Sequence, residues 1–241
     1  MVNKVMQQQT DTCKLCGEVP PKGTGCNLKD SPSFNFSEKA SERMFERGQV
    51  VFKEQSTAGA VYAIQSGRIK LYRTDNHGNR QAISLLWPGD IFGFRTLLAN
   101  ELHNTTAEAI EPTVLCVLPR QSLFEMFNIS ESLARDLMTK LAAELRVAED
   151  TMVSLLQQSV KQRTARLILS LIDKKDDNGS NGPLRVVKLQ RTEMAQLIGT
   201  TPESLSRTLH AFGEKRLIDS TRTRITVLDR SGLQTVVKQN G

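Results

Sequence analysis

The sequence has no long uninterrupted apolar run, and this absence excludes a membrane-spanning helix. Its first residues, MVNKVMQQQTDTC, lack the hydrophobic core of a secretory signal peptide, so we expect a cytoplasmic protein. Cysteine is scarce, at 4 residues in 241. Because thiols in the cytosol stay reduced, these cysteines are expected to be metal ligands or redox thiols rather than structural disulfides.

Signatures of catalysis are also missing. The chain contains no nucleophile–base pairing, no metal-hydrolase spacing and no Walker-type phosphate loop. The three histidines, His77, His103 and His210, fall in a turn, a loop and an expected helix, and none has the spacing of a ligand. An enzyme or ligand-binding module in the β-rich region stays open as an alternative function, without a residue set that supports it.

Residues 191–212, RTEMAQLIGTTPESLSRTLHAF, hold two short amphipathic helical patterns. Their apolar residues recur at helical spacing: Met194, Leu197 and Ile198, then Leu205, Leu209 and Phe212. Gly199 suits the end of the first helix, while Thr201 is a good N-cap and Pro202 suits the first position of the second. The pattern predicts a helix-turn-helix, and the alternative is an ordinary αα-hairpin in a helical domain.

The distribution of charge favours DNA binding over the plain hairpin. From Val160 to the end the chain carries 15 Lys+Arg against 8 Asp+Glu, whereas the rest carries 17 against 18. The positive excess therefore surrounds the helix pair, as a phosphate-binding domain requires. We expect DNA contacts from eight residues: Arg191, Thr201, Glu203, Ser204, Ser206, Arg207, Arg222 and Arg224.

Residues 47–119 consist of short β-branched and aromatic runs separated by turn residues. The runs are GQVVFKE, AVYAIQSG, RIKLYRT, QAISLLWPGD and TVLCVLP. The Asn76-His77-Gly78-Asn79 cluster marks a hairpin turn. Many short strands at this spacing predict an antiparallel β-roll or jelly roll.

A short helical piece at 122–127 precedes a long expected helix at 131–156. The long helix carries a stripe, with Glu149 beside it, made of Leu133, Leu137, Leu141, Leu145, Ala148, Met152 and Leu155. Such a stripe predicts a seam against a second copy of the helix, hence a homodimer. The alternative is that this face packs on the β-rich domain.

The C-terminal region contains further elements. Residues 161–173 predict a helix and 174–183 a polar loop. After the helix pair, a polar turn and the strand at 224–228 predict a wing, and the tail beyond Asp229 a short frayed helix.

Residues 1–33 have no periodic apolar face, and they contain Cys13, Cys16 and Cys26. A segment without its own core that concentrates thiols is usually organised by what the thiols bind. Otherwise it is a flexible tail.

In this order the β-roll, the long helix and the winged helix-turn-helix resemble the CRP/FNR family of bacterial transcription regulators. The likeness covers nearly the whole chain and rests on GQVVFKE, VYAIQSGRIKLYR, PGDIFGF and RTEMAQLIGTTPESLSRTL. It implies an α+β fold with a cyclic-nucleotide-binding-like antiparallel β-roll. The implied domains are a cysteine-rich segment at 1–33, a sensor β-roll at 34–128, a dimerisation helix at 129–159 and a winged helix-turn-helix at 160–241.

The resemblance also bears on the effector. Cyclic-nucleotide members share a Gly-Glu-Leu and a following Arg-Ser/Thr, where this chain has Gly93-Phe94-Arg95-Thr96 and then Asn104-Thr105-Thr106-Ala107. Because the glutamate and the second arginine are absent, a cyclic nucleotide is not expected. The segment GDIFGF at 89–94 looks instead like the FNR branch, which senses oxygen through an iron–sulfur cluster. That likeness implies a 4Fe-4S cluster on Cys13, Cys16, Cys26 and Cys116.

The gap between Cys16 and Cys26 is nine residues, longer than in the best-known members of that branch. Four other interpretations remain: a zinc site with four cysteine ligands, a reversible dithiol switch, a haem or nitric-oxide sensor on the same fold, and a plain buried cysteine at Cys116.

The resemblance implies a mechanism as well. In the FNR branch an acidic residue that matches Glu149 keeps the cluster-free protein monomeric, so cluster assembly would favour the dimer. Arg207 would donate to guanine, Glu203 would accept from cytosine and Ser206 would lie at a thymine of a TTGAT-like half-site. The dimer would bind palindromic promoter DNA, with RNA polymerase as an expected partner.

Overall fold

The computed structural model describes residues 40–128, 131–172, 184–185, 189–221 and 224–238. Cys13, Cys16, Cys26 and Arg222 lie outside the described residues, as does the whole expected segment 1–33. The described residues form two compact units. The first contains residues 40–73 and 84–142, and the second contains residues 74–83 and those described from 143 onwards.

The N-terminal strands are β1 (Ser41–Phe45), β2 (Val50–Phe52), β3 (Ala60–Ser66), β4 (Ile69–Thr74), β5 (Arg80–Leu86), β6 (Ile91–Phe92), β7 (Thr106–Ala109) and β8 (Thr113–Pro119). They form two four-stranded sheets, with strand orders β1-β8-β3-β6 and β2-β7-β4-β5. The helices are α1 (Phe94–Ala99), α2 (Arg120–Phe127) and α3 (Glu131–Gln157), of which α3 continues into the second unit.

The strand β8 has a core on each of its faces, because successive side chains of a strand point to opposite sides. Leu115 and Val117 belong to the cluster that also contains Ile69 and Ala107 of the other sheet. Cys116 and Leu118 belong to a second cluster, which the helices α1 to α3 complete. The first unit is therefore a β-roll covered by helices on one side.

The apolar stripe of α3 divides into a buried part and an exposed part. Leu133 and Leu137 are buried in the β-roll's helix-side core, and the partly buried Leu141 packs against it. Leu145, Met152 and Leu155 are 62%, 63% and 44% exposed, and Ala148 and Glu149 are exposed with them. The first two leucines of the expected seam are thus core residues of the first unit.

The second unit holds the helix pair and its supports. Its further elements are α4 (Val160–Ser170), β9 (Leu184–Arg185), α5 (Arg191–Leu197), α6 (Pro202–Glu214), β10 (Ile218–Ser220), β11 (Ile225–Val227) and α7 (Arg230–Lys238). The strands pair in the order β10-β11-β9. The helix α7 packs on α4, and its Leu233 is fully buried.

The expected architecture of β-roll, long helix and C-terminal helix-turn-helix with a wing is confirmed. The hairpin turn is confirmed too, because the Asp75 N–H donates to the Asn79 carbonyl at 3.0 Å and the Gly78 N–H donates to the Asp75 carbonyl at 3.0 Å. The expected short helix beyond Asp229 is confirmed as α7, but it is held by burial of Leu233 instead of frayed over Arg230–Lys238. Five elements went unpredicted: β1, β6, β7, β9 and α1.

Candidate nucleic-acid interface and sensor site

Local sequence determines where the two helices of the pair begin and end. Gln190 and Glu193 form a reciprocal capping box that starts α5. Gly199 has a φ of 61°, and the Thr200 N–H donates to the Ala195 carbonyl at 3.0 Å, which closes the helix end. The Thr201 hydroxyl accepts from the Ser204 N–H at 3.2 Å, with Pro202 in the first turn of α6. These contacts produce the tight turn that a helix-turn-helix needs.

The two helices bury the faces that the apolar periodicity indicates. Met194 and Ile198 of α5 are 1% and 5% exposed, and Leu205, Leu209 and Phe212 of α6 are at most 3% exposed. Leu197 is only half-buried, whereas Ala195 is buried. The opposite face of α6 is left for a partner.

That outer face of α6 carries the residues expected to contact bases. Glu203, Ser206 and Arg207 are exposed, as is the N-cap Thr201, while Ser204 is half-buried. His210 continues the same face one turn further and is 78% exposed, with its Nδ1 3.6 Å from Oε1 of Glu214. Acceptors and donors on one exposed helix face can contact base edges in a major groove.

The carboxylate of Glu203 is held at the start of α6. Its own backbone N–H, the Thr201 hydroxyl and then the charge of Arg207 lower the pKa of this carboxyl. Hydrogen bonds to an ionised carboxylate favour the charged form. Glu203 therefore presents an acceptor at neutral pH.

Arg191 binds the wing in this structure. Its Nη2 donates to Ser220 Oγ at 2.7 Å and to the Thr221 carbonyl at 2.8 Å. Its Nη1 has no hydrogen-bond partner among the described residues, and burial lowers the pKa of its guanidinium. One nitrogen of Arg191 thus joins α5 to β10.

The wing presents Arg224 to solvent. Its N–H donates to Thr221 Oγ1 at 3.1 Å and its carbonyl accepts from the Thr221 N–H at 2.9 Å, so the turn between β10 and β11 is closed on both sides. The guanidinium of an exposed arginine on such a turn can contact a phosphate.

Cys116 lies in the middle of β8, where it pairs with Ala63 of β3 on one side and Glu42 of β1 on the other. Its side chain is 3% exposed and belongs to the cluster that contains Leu133 and Leu137 of α3. The described residues contain no group of three or more His, Cys, Asp or Glu that could hold a metal ion, and the other three cysteines are not among them.

The region that matches the cyclic-nucleotide motifs is occupied by its own side chains. Thr96 Oγ1 is hydrogen-bonded to His103 Nδ1 at 3.1 Å, and both residues are buried. The His103 ring stacks on Phe52 with centroids 3.7 Å apart. Arg95 is exposed instead of directed into this cluster.

Three contacts around these sites were not predicted from the sequence: Arg191 with Ser220, Thr96 with His103, and Arg163 with Gly199. All of them join residues that are distant in sequence or in a different element, so no local periodicity indicates them.

Among the helices that the structure describes, none combines the length and the apolar character that a membrane span requires.

Comparisons with known proteins agree with this architecture. Residues 42–130 match the family model of the cyclic nucleotide-binding domain, and residues 162–236 match that of the Crp-like helix-turn-helix domain. The chain is 30% identical over 176 residues to the cyclic AMP receptor protein of Thermus thermophilus, covering 73% of this chain and 78% of that protein. It is 24% identical over 233 residues to the transcriptional activator protein FnrA of Stutzerimonas stutzeri, covering 95% and 94%.

Among solved structures, FixK2 from Bradyrhizobium japonicum is similar at a TM-score of 0.72 and 26% identity, covering 84% of this chain and 99% of that one. A CRP/FNR family regulator from Thermus thermophilus is similar at a TM-score of 0.71 and 24% identity, covering 83% and 100%. The second likeness shows the fold alone.

Proposed function

This chain belongs to the CRP/FNR family of DNA-binding transcription regulators, and we propose that its DNA binding is controlled by a 4Fe-4S cluster on Cys13, Cys16, Cys26 and Cys116. Members of this family regulate transcription and are not enzymes, so the β-roll acts as a sensor. The proposal has three parts: a cluster, a dimer through α3, and a TTGAT-like palindromic target.

The position of Cys116 carries the cluster proposal. The strand β1, which follows the cysteine-bearing segment in the chain, pairs with β8 so that Glu42 lies opposite Cys116. Sixteen positions separate Cys26 from Glu42, and an extended chain of that length spans up to about 50 Å. The connection therefore allows the three N-terminal thiols to reach Cys116.

The surroundings of Cys116 fit a ligand to iron. The sulfur lies among apolar side chains, at 3% exposure. An isolated thiolate is costly in such a place, whereas a thiolate bound to iron has its charge compensated. When bound, the cluster would supply an oxygen-labile centre, and the surrounding apolar side chains would keep water from it. A cyclic nucleotide is not proposed as the effector, because Thr96, His103 and Phe52 contact one another where its motifs would lie.

The exposed part of α3 supports the dimer. Leu145, Met152 and Leu155 are large apolar side chains at least 44% exposed, and they recur at steps of seven and three. Exposed apolar residues in a row on a helix are typical of a seam with a second copy. Glu149 is exposed beside this row. In the dimer it would lie near Glu149 of the second copy, close to the two-fold axis, and the repulsion between the two carboxylates would oppose association of the chains.

The outer face of α6 supports the target. Arg207 is the expected donor to guanine and Glu203 the expected acceptor from cytosine, with Ser206 between them. RNA polymerase is the expected partner of the complex on promoter DNA.

The test is anaerobic purification of the full chain, with analysis of metal and sulfide. We expect a brown protein with about four iron and four acid-labile sulfide per chain. Cys13→Ser, Cys16→Ser, Cys26→Ser and Cys116→Ala should each lose the iron, whereas replacing the exposed Ser231 of α7 with alanine should not. Exposure to air should then weaken binding to a TTGAT-like palindrome in the parent protein and in the variant at Ser231, but not in the four cysteine variants.

Three other results of this purification would assign the cysteines or the sensor to a different chemistry. Zinc without sulfide indicates a zinc site with four cysteine ligands, a Soret band indicates haem, and a metal-free protein that loses two thiols on oxidation indicates a dithiol switch. Iron retained in Cys116→Ala shows that Cys116 is a core cysteine and overturns the proposed ligand set.

A further inference from the structure

Arg163 lies on the first turn of α4, directly after the break that separates α4 from α3. Its Nη1 donates to the carbonyls of Leu155 at 3.1 Å and Gln158 at 2.9 Å. Carbonyls at the end of a helix have no partner within that helix, and a cation there also interacts favourably with the helix dipole. Arg163 is thus the C-terminal cap of α3.

The same guanidinium reaches the turn of the helix-turn-helix. Its Nη2 donates to the Gly199 carbonyl in a long hydrogen bond of 3.4 Å. Gly199 also packs tightly against α3, because a Cβ added to it would lie 2.7 Å from Cδ2 of Leu155. The last turn of α3 and the turn between α5 and α6 therefore touch each other, and Arg163 is bonded to both.

The break between the two helices is itself held by hydrogen bonds. The Ser159 N–H donates to Gln162 Oε1 at 2.8 Å, and Ser154 Oγ donates to Gln158 Oε1 at 2.7 Å. Arg163 is half-buried within this arrangement. The planar, five-donor guanidinium can serve three carbonyls in fixed directions, which a single lysine ammonium on a flexible stem does less well.

We propose that Arg163 is a positioning residue that makes the end of α3 and the helix-turn-helix one rigid body, and that it thereby sets which spacing of half-sites the dimer accepts. This inference rests on the proposed dimer through α3. If α3 relates the two copies, the direction of each α6 depends on how firmly the helix-turn-helix is held to the end of α3.

Half-site spacing is a sensitive readout of that rigidity. One inserted base pair moves a half-site by about 3.4 Å along the DNA axis and rotates it by roughly 36°. A rigid dimer loses contacts at one half-site, whereas a loosened dimer can follow the displacement. A merely structural residue would weaken binding to every spacing by the same factor.

The experiment measures affinity of the full chain, prepared without oxygen, for duplexes with two inverted TTGAT-like half-sites. Three duplexes carry the preferred spacing, one base pair fewer and one base pair more. We expect the parent protein to bind the altered duplexes about tenfold or more weakly, in line with the loss of one good base contact. Arg163→Gln and Arg163→Lys should reduce this ratio to about threefold or less.

Arg166→Gln is the matched control, because Arg166 is an exposed arginine on the same helix. It removes the same charge and should weaken binding to all three duplexes equally, so that the ratio stays that of the parent. Sedimentation and circular dichroism at the assay concentration show that each variant is a folded dimer, and Arg163→Lys serves where Arg163→Gln does not fold.

The two proposals fail in different ways. If Arg163→Lys keeps the ratio of the parent, the inference about Arg163 is overturned and the dimer through α3 stands. If the parent itself binds all three spacings equally well, the inference about Arg163 is overturned and the dimer stands. If the parent binds as a monomer, both the inference and the proposed dimer are overturned.

Discussion

The imidazole of His103 stacks on the ring of Phe52, with centroids 3.7 Å apart and planes inclined by 9°. His103 is 2% exposed, and its Nδ1 is hydrogen-bonded to Thr96 Oγ1. Burial lowers the pKa of His103 because the charged ring loses its hydration. The β-roll therefore contains a histidine whose neutral form is favoured by burial.

The first prediction is that the β-roll loses stability in mild acid. With a folded-state pKa below the unfolded value of about 6.5, stability is complete above that value and is lost as the pH falls through the lowered folded-state pKa. Each unit of pKa difference corresponds to about 1.4 kcal/mol of unfolding free energy. The unfolding free energy of the β-roll is measured by denaturant unfolding between pH 8 and pH 5. The transition is followed by the fluorescence of Trp87, which lies in the β-roll and is the one tryptophan of the chain.

The control for the loss of one histidine is His77→Gln, in the exposed hairpin turn. His103→Gln should flatten the pH dependence relative to the parent and to His77→Gln. An equally steep loss in His103→Gln would assign the acid sensitivity to other groups.

The second prediction concerns Gly199. Gly199→Ala should lower the unfolding free energy of the second unit by about 1–2 kcal/mol, because alanine is strained at a φ of 61°. Far-ultraviolet circular dichroism follows the helices, while Trp87 emission should report an unchanged β-roll.

Gly213→Ala is the matched control in the same unit. Gly213 lies in α6, and an added Cβ would meet no atom closer than Ile218 O at 4.0 Å. Alanine there should leave stability unchanged or raise it by about 0.5–1 kcal/mol. A Gly199→Ala variant as stable as the parent would show that the turn relaxes at no cost.

The third prediction is that Arg207→Ala relaxes preference at one base pair of each half-site. The loss on the preferred sequence should be about 1–3 kcal/mol, with a much smaller loss on duplexes already changed at that pair. The change in base preference is measured from the affinities for a panel of duplexes with single-base changes, at one salt concentration.

Arg224→Ala supplies the contrast, since the exposed Arg224 on the wing is the expected phosphate contact. Its loss should weaken binding to all duplexes by the same factor. It should also reduce the steepness with which log K for DNA binding falls with log salt concentration, by about 0.9. Uniform weakening by Arg207→Ala would place Arg207 on a phosphate instead.

The fourth prediction is that Glu149→Ala forms dimers in air. Removal of the carboxylate abolishes repulsion between copies beside the exposed row of α3, so dimerisation no longer needs the cluster. Sedimentation velocity and DNA binding, each with and without oxygen, measure the change.

Asp150→Ala is the control for the loss of one acidic residue, because Asp150 lies about 100° further round the helix. It should remain as oxygen-sensitive as the parent. The same sensitivity in Glu149→Ala would contradict the proposed role of its charge.

Where a structural feature depends on neighbours in sequence, the sequence alone was enough. The capping residues Thr201 and Pro202 and the turn at Gly199 act within one helical turn, so the helix pair and its buried faces were predictable. The hairpin at Asn76-His77-Gly78-Asn79 is local in the same sense.

Tertiary structure decided every feature that depends on which surface covers a residue. The strand β1 has an almost fully exposed burial pattern and exists because it pairs with β8, about seventy positions later. The apolar residues of the stripe on α3 keep the same helical spacing along the whole helix. Nevertheless, Leu133 and Leu137 are buried in the β-roll core, while Leu145 and Met152 are exposed. Periodicity specifies a helix face but not what that face meets, because the partner comes from elsewhere in the chain or from another chain. For the same reason, the bonds that join Arg163 to α3 and to Gly199 became visible only in the folded unit.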